Sequence, residues 1–319
     1  MESRDVAENI VLYDWLSFTS KFHTPDELID ALGLSHVNWT LTKGARGYQD
    51  RKYFGSISVH YNGRPDMGVW VEMSGQGCRT FESLSAVGWE RLFSFIRENG
   101  LKLTRLDVAY DDHTGILPMR EILNDTQDGM YVSRSNYWET VLSSKGSTVQ
   151  IGSPQSEILI RIYDKAAERK CEPGTHWIRC EIQMRDDRAV QFTNIPLPIG
   201  EAFAGVLLNY LRYVEPSDDA SDTNRWRWPM KSYWQDLVAD TQRISIYEAP
   251  GMEYNLERCE NYVFNQAGNA IDTMLKLYGT DKFLEKIENR TAAPNPKYAM
   301  LLDKHWYERY YLRYVKDKT

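Results

Sequence analysis

Three short stretches of this sequence place acids, arginines and a phenol at alternate positions. In LKLTRLDVAYD (residues 101–111), Arg105, Asp107 and Asp111 fall in one row, and Leu106, Val108 and Tyr110 in the other. In SEILIRIYDKAAER (156–169), Arg161 and Tyr163 stand opposite Ile158, Ile160 and Ile162. In HWIRCEIQMR (176–185), Arg179, Glu181, Gln183 and Arg185 stand opposite Ile178, Cys180, Ile182 and Met184. A strand repeats its facing every two residues, so spacing alone assigns these faces. One such strand is the ordinary pattern of a half-solvated sheet. Three of them, each with an arginine two residues before a reactive group, point to a site if the strands are neighbours.

Carboxylates on a sheet can hold a hard cation such as Mg²⁺ or Mn²⁺ through oxygen ligands. A bound cation and arginines both stabilise charge on a phosphate. A tyrosine, whose ordinary pKa is roughly 10, is a weak nucleophile until nearby cations activate it, and it can then form a covalent intermediate. The set therefore reads as tyrosine-mediated cleavage of a phosphodiester. Residue types alone leave it weakly specified, because the chain holds 20 Tyr.

The elements that must position these groups follow from local signals. Residues 10–18 (IVLYDWLSF) read as a strand. Thr24, Pro25 and Glu27 form a capping signature for a helix that stops at Gly33. Residues 52–61 and 68–73 read as a hairpin around Asn62-Gly63, and residues 81–98 as a helix. The order then restarts, with a strand at 101–111, a helix opened by Pro118, strands at 137–143 and 147–151, and the two strands above. The first strands even correspond loosely, LYDWLSF beside RLDVAYD. An internal duplication is expected, with halves 10–98 and 101–200. The fold class is α+β, mainly antiparallel sheet with helices on one face. The expected domains are a catalytic region, 1–200, and a mostly helical C-terminal region, 201–319, with helices near 231–240, 255–278, 281–288 and 297–316.

Bulk properties set limits. Hydrophobic residues make up 42% and charged residues 26% of 319, the profile of a soluble globular protein. No apolar run approaches the roughly 20 residues of a membrane helix, and the first residues lack the pattern of a signal peptide. The four cysteines are scattered without a CxxC pair, as expected of reduced thiols in a cytoplasmic protein. A net charge of −7 argues against non-specific nucleic-acid binding but not against a specific site. SGQGCR (74–79) could cradle a phosphate, although a strand-to-helix turn explains its glycines better. RWRWPMKSYW (225–234) interleaves Arg225 and Arg227 with aromatics, which suits stacking on bases; core tryptophans beside a solvated linker explain it slightly better. The aromatic, basic helix at 304–318 is best read as packing, and Asp186-Asp187 as a turn.

TRLDVAYD, KGSTVQIGSPQSEILIRIYDKAAER and WIRCEIQMR together resemble the three signature segments of the replication initiation factor family, in that family's order. Its members include rolling-circle plasmid initiators, filamentous-phage initiators and relaxases of integrative elements. The resemblance covers residues 10–200 well and the remainder loosely. It implies that Tyr163 is the nicking tyrosine, attacking one strand at an origin, keeping the 5′ phosphate and freeing a 3′ hydroxyl. It implies Asp107 and Glu181 as metal ligands, with Asp111 a weaker third, and Arg161, Lys165 and Arg179 as groups on the scissile phosphate. Arg105, Arg185, Arg225 and Arg227 are the expected further DNA contacts. Some members carry an acid where this chain has Gln183. The implied partners are origin DNA, single-stranded or cruciform at the nick, a second copy of the chain, and a host helicase. Two alternatives stay open: a relaxase acting at a transfer origin, and a non-catalytic nucleic-acid-binding module.

Overall fold

A computed structural model of the chain describes residues 8–144, 146–219, 221–243, 263 and 268–289. It begins with a long strand, β1 (Ile10–Ser20), rich in the β-branched and aromatic residues that suit a pleated surface. Helix α1 (Pro25–Ala31) has the expected capping box between Thr24 and Glu27 and Pro25 in its first turn. Gly33 follows it at φ +65°, the left-handed conformation that ends helices and favours glycine. Four strands come next: β2 (Thr40–Lys43), β3 (Asp50–Phe54), β4 (Ile57–Tyr61) and β5 (Val69–Ser74). Helices α2 (Gly75–Leu84) and α3 (Trp89–Glu98) close the first half. The second half runs β6 (Lys102–Asp112), α4 (Met119–Gln127), β7 (Tyr131–Ser133), β8 (Trp138–Ser143), β9 (Gly146–Ile151), β10 (Ile158–Asp164), α5 (Lys165–Arg169), β11 (Ile178–Arg185) and α6 (Asp186–Thr193).

The main sheet has ten strands in the order β2-β3-β4-β5-β1-β6-β11-β10-β9-β8. Every pairing in it is antiparallel. Read outward from the centre, each half follows one rule. The first strand lies innermost, the last strand lies beside it, and the next strand of the sheet after the first, β2 or β8, reaches the edge after a helical crossover, β7 lying outside this sheet. β1 and β6 pair with each other at the middle, so the two halves stand back to back. The repeated rhythm in the sequence is thus a repeated topology, and the fold is α+β on an antiparallel sheet.

One face of the sheet carries the core. Leu16 and Phe18 of β1, Leu106 and Val108 of β6, Ile160 and Ile162 of β10, and Ile182 of β11 are buried. They share one cluster with Leu28 of α1, Phe81 of α2, Phe93 of α3, Ile122 of α4 and Phe192 of α6. The apolar rows therefore pack against helices, and the polar rows lie on the sheet's other face.

Several boundaries differ from the sequence reading. The strand expected over 52–61 is two strands, because the chain turns at Gly55, φ +54°. The helix expected over 81–98 is broken between α2 and α3. Asp186-Asp187 is the first turn of α6 and not a free turn. EAFAGVLLNYLRYV is not one helix: α7 (Ile199–Tyr210) ends and β12 (Leu211–Tyr213) pairs with β7, burying Leu211 and Tyr213. In 225–234, Arg225–Arg227 form a 3-10 turn with Trp226 exposed, while Tyr233 and Trp234 enter the core. α8 (Ser232–Arg243) is anchored by polar bonds as well: Tyr233 Oη donates to Asp125 of α4 at 2.9 Å and Lys231 Nζ at 3.1 Å.

The chain divides into two compact units, Met1–Ala249 and Pro250–Thr319. The first therefore runs past the boundary expected at residue 200 and includes α7, β12 and α8. In the second, α9 (Gly268–Tyr278) and α10 (Thr280–Glu288) pack together around Gly279. The start of the helix expected at 255–278, the helix at 297–316 and the basic tail at 304–318 lie outside the described residues.

Candidate active site

The three polar rows lie on adjacent strands, β6, β11 and β10. Register sets the cross-strand neighbours: Arg179 faces Asp111, Glu181 faces Ala109, and Gln183 faces Asp107. On the other side Arg161 faces Glu181 and Tyr163 faces Arg179. The expected residues of the three motifs are thus brought together on one face, although it is not a solvated one. Asp107, Asp111, Arg179, Glu181 and Gln183 are each between 2% and 4% exposed.

Buried charges persist only when paired, and these are. Arg179 sends Nε and an Nη to the two carboxylate oxygens of Asp111, both at 2.6 Å. Its other Nη lies 2.6 Å from Asp14 Oδ2. Arg105 grips Asp107 through Nε at 2.8 Å and Nη2 at 2.5 Å, and Arg161 Nη2 donates to Glu181. Burial opposes ionisation of Glu181, but Arg161 and Arg179 outweigh it and hold the carboxyl below its usual value. At Asp107 the balance goes the other way. Burial is the largest influence, the Glu181 charge adds to it, and the Arg105 bonds only partly offset them, so the carboxyl is pushed up to about 7.

Tyr163 sits at the margin of this cluster. Its hydroxyl donates to Glu181 Oε2 at 3.1 Å and accepts from Lys165 Nζ at 3.3 Å. Asp164 caps α5 by accepting from the Ala167 N–H, which places Lys165 in the first turn beside the phenol. Lys165 is itself buried and also donates to Glu168 at 2.8 Å. Burial pushes the phenol well above its usual pKa, the Glu181 charge adds to this, and Arg179 works against it. The Tyr163 hydroxyl is thus a neutral phenol between a carboxylate and an ammonium.

The donor set suits a hard cation in kind. Asp107 and Glu181 supply oxygens, and between them lies the buried Gln183 amide, whose nitrogen has no hydrogen-bond partner. Amide oxygen and nitrogen are assigned by their partners, so that end could equally present an oxygen. Ala109, across from Glu181, is a short side chain in the same row. Asp107 and Asp111 are alike in having both oxygens engaged, by Arg105 and Arg179 respectively, so either would have to yield an arginine bond to hold a cation. Among the described residues, no group of three His, Cys, Asp or Glu is arranged around a metal position.

The remaining expected contacts divide. Arg105 and Arg185 border an open groove on the same face. Arg225 and Arg227 do not join the cluster: Arg225 donates to Gly129 O at 2.5 Å, and Arg227 pairs with Asp222 at 2.5 Å. The glycines of SGQGCR serve close packing. A Cβ on Gly75 would collide with Asp14, and one on Gly77 with the Ser56 carbonyl. Asp14 itself was missed by the sequence reading. The β1–β6 register skips it between Tyr13 and Trp15, and this irregularity lets a residue of β1 join the acid–arginine row. The parallel between LYD and RLD was the available signal.

Fold and cluster define a class: a duplicated antiparallel sheet whose polar face buries alternating acids and arginines, with a phenol held at its margin. The family described as "Replication initiation factor" matches residues 101–287. The "Rolling Circle replication initiation protein N-terminal domain" matches residues 10–98. The chain belongs to the replication initiation factor family. Over 318 aligned residues it is 27% identical to a Bacillus subtilis (strain 168) protein named "Putative DNA relaxase NicK", covering 93% of this chain and 88% of that one. The solved structure of a rolling circle replication initiator protein from Geobacillus stearothermophilus matches at a TM-score of 0.69 and 31% identity. That match covers 75% of this chain and 99% of the other.

Proposed function

We propose that this protein nicks and rejoins one DNA strand at a replication origin, with Tyr163 as the nucleophile. The observation that carries the reading is the Tyr163 hydroxyl held between Glu181 Oε2 and Lys165 Nζ. In the proposed step the phenolic oxygen forms a bond to the scissile phosphorus as the bond to the 3′ oxygen breaks. Glu181 receives the phenolic proton, and Lys165 offsets the negative charge that develops on the phenolic oxygen. The leaving 3′ oxygen takes up a proton from solvent, so the products are a 5′-phosphotyrosyl link and a free 3′ hydroxyl that can prime synthesis. Reversal rejoins the strand. Arg179 acts as a positioning residue, since its guanidinium is committed to Asp111 and Asp14. Arg161 steers Glu181 and retains a buried Nε with no hydrogen-bond partner.

Asp107 and Glu181, with the Gln183 amide, would hold Mg²⁺ or Mn²⁺. Such a cation, when bound, would neutralise charge on the phosphate oxygens. A second copy of the chain and a host helicase complete the proposed replication reaction, which would take place in the cytoplasm.

The test incubates the protein with supercoiled DNA of its own replicon and Mg²⁺ or Mn²⁺. Relaxed circles and a protein–DNA adduct mapping to Tyr163 are expected, with Tyr163→Phe losing the adduct and keeping DNA binding. An adduct that survives Tyr163→Phe, or full replication activity in that variant, would sink the proposal; the latter outcome would favour a non-catalytic binding module. The name of the Bacillus relative favours a second reading, the same chemistry at a transfer origin. Assays of strand transfer against replication in cells separate the two.

A further inference from the structure

The polar face extends into the first half of the sheet as an open groove of about 520 Å³, within the roughly 300–1,000 Å³ typical of small-ligand sites. Its lining combines Trp15 of β1, Trp70 and Glu72 of β5, Tyr48 of the β2–β3 loop, and Arg105 and Arg185. The aromatic groups form a shelf: Tyr48 stacks on Trp70 with centroids 6.1 Å apart, and the exposed Arg46 guanidinium lies 5.0 Å from the Trp70 ring centre. Arg105 lies 4.4 Å from the Trp15 ring centre while its guanidinium grips Asp107. One side chain therefore joins the groove to the carboxylate row of the candidate active site.

Three buried polar atoms on this lining lack hydrogen-bond partners: Trp15 Nε1, Glu72 Oε2 and Arg185 Nε. Leaving such atoms unpaired is costly, so a ligand in the groove toward which these side chains turn would recover hydrogen bonds that the empty groove forgoes. Arg105 and Arg185 also stand directly opposite each other across β6 and β11. Like charges in that position repel. Asp107 answers the charge of Arg105, but Arg185 has only a weak bond to the Pro154 carbonyl at 3.3 Å. An anion beside Arg185 would relieve the repulsion. Flat rings for a base, an unpaired guanidinium for a phosphate, and one unpaired acceptor for a base amino group describe a nucleotide whose base is not in a duplex.

We infer that this groove binds an unpaired nucleotide of the DNA strand close to the one that reacts with Tyr163. The base stacks on Trp15 at one end of the groove, the Tyr48–Trp70 pair offers a ring to a neighbouring base at the other, and the phosphate sits on Arg185. The first half thus holds the strand that the second half cuts. This rests on the reading of the protein as a DNA-nicking initiator.

The test is fluorescence anisotropy of the full chain with a fluorescein-labelled single-stranded oligonucleotide of about 12 nucleotides, in EDTA so that no strand is cut. Saturable binding is expected. Trp15→Leu and Arg185→Ala should each weaken it by about 10-fold, while Trp15→Phe, which keeps a stacking ring, stays within about 3-fold of wild type. Arg46→Ala alters an exposed side chain without touching the core and should weaken binding by about 3-fold. No saturable binding, or thermally intact Trp15→Leu and Arg185→Ala variants that bind like wild type, would overturn the inference. The catalytic reading fails separately: intact oligonucleotide binding without any Tyr163 adduct defeats that reading and spares the groove. Adduct formation with groove variants that bind normally does the reverse.

Discussion

At the scale of single residues, the site is a set of commitments that leaves few groups free to react. Arg179 is tied to two carboxylates, and Arg105 is tied to Asp107. Lys165 differs, because one of its hydrogen bonds ends on the phenol itself, at 3.3 Å. An ammonium there favours the phenolate over the phenol, whereas burial and Glu181 favour the phenol. Removing the cation must therefore raise the phenol pKa further and move the rate profile to higher pH. Lys165→Met should slow adduct formation by about 10²-fold at pH 7. Its rate should rise with pH in parallel with that of wild type, and stay below it, because burial keeps the phenol protonated from neutral to alkaline pH in both. Single-turnover kinetics on a labelled origin strand would measure both effects, with oligonucleotide affinity within about 2-fold of wild type as the sign that only the chemical step was touched. A variant rate within about 2-fold of wild type across that range would show that Lys165 does not act on the phenol.

At the scale of elements, the end of β6 shows how a strand that supplies the site is kept in place. Asp112 is fully buried and accepts from the N–H groups of Thr114 at 3.0 Å, Gly115 at 2.9 Å and Leu117 at 2.7 Å. His176, just before β11, reaches it at 2.8 Å. Burial opposes its ionisation, yet the backbone donor at Leu117 and the His176 contact prevail, and its pKa lies below the ordinary carboxylate value. A depressed folded pKa means stability that is present above the unfolded pKa of roughly 3.9 and lost as pH falls through the folded value. Asp112→Asn should therefore cost about 2 kcal/mol at pH 7. The gap from wild type should narrow below about pH 4 in urea denaturation; a gap that stays constant with pH would disprove the electrostatic account. The alternation that carries Asp107, Tyr163 and Glu181 was legible because strand periodicity is local. Asp14 was not, because an irregular register with β6 puts it in the row. The aromatic groove was also hidden: Trp15, Tyr48 and Trp70 are distant in sequence and come to line one groove only when β1, β5 and the β2–β3 loop converge.

At the scale of the whole molecule, the two halves share a topology but carry different equipment on the polar face. The second bears the arginines, Tyr163 and most of the acids, joined by Asp14 of the first, and the first contributes the aromatic rings of the groove. The family matches divide at the same place, residues 10–98 and 101–287. The duplication was readable as a repeated rhythm, but the end of the first compact unit was not, because helical periodicity after residue 200 does not reveal what a helix packs against. Phe203, Leu207, Leu211, Tyr213, Trp234 and Leu237 all lie beyond that point, and each is at most 1% exposed within the common core. Burying one such side chain contributes about 1.5–3 kcal/mol. The six together amount to about 10 kcal/mol or more, comparable to the whole net stability of a typical domain, about 5–15 kcal/mol. A fragment ending at residue 200 should therefore lack a cooperative thermal transition and expose apolar surface to a hydrophobic dye. One ending at residue 249, which keeps α7, β12 and α8, should melt cooperatively and retain oligonucleotide binding. Cooperative melting of the shorter fragment would show that α7 and α8 are additions to a core that closes without them.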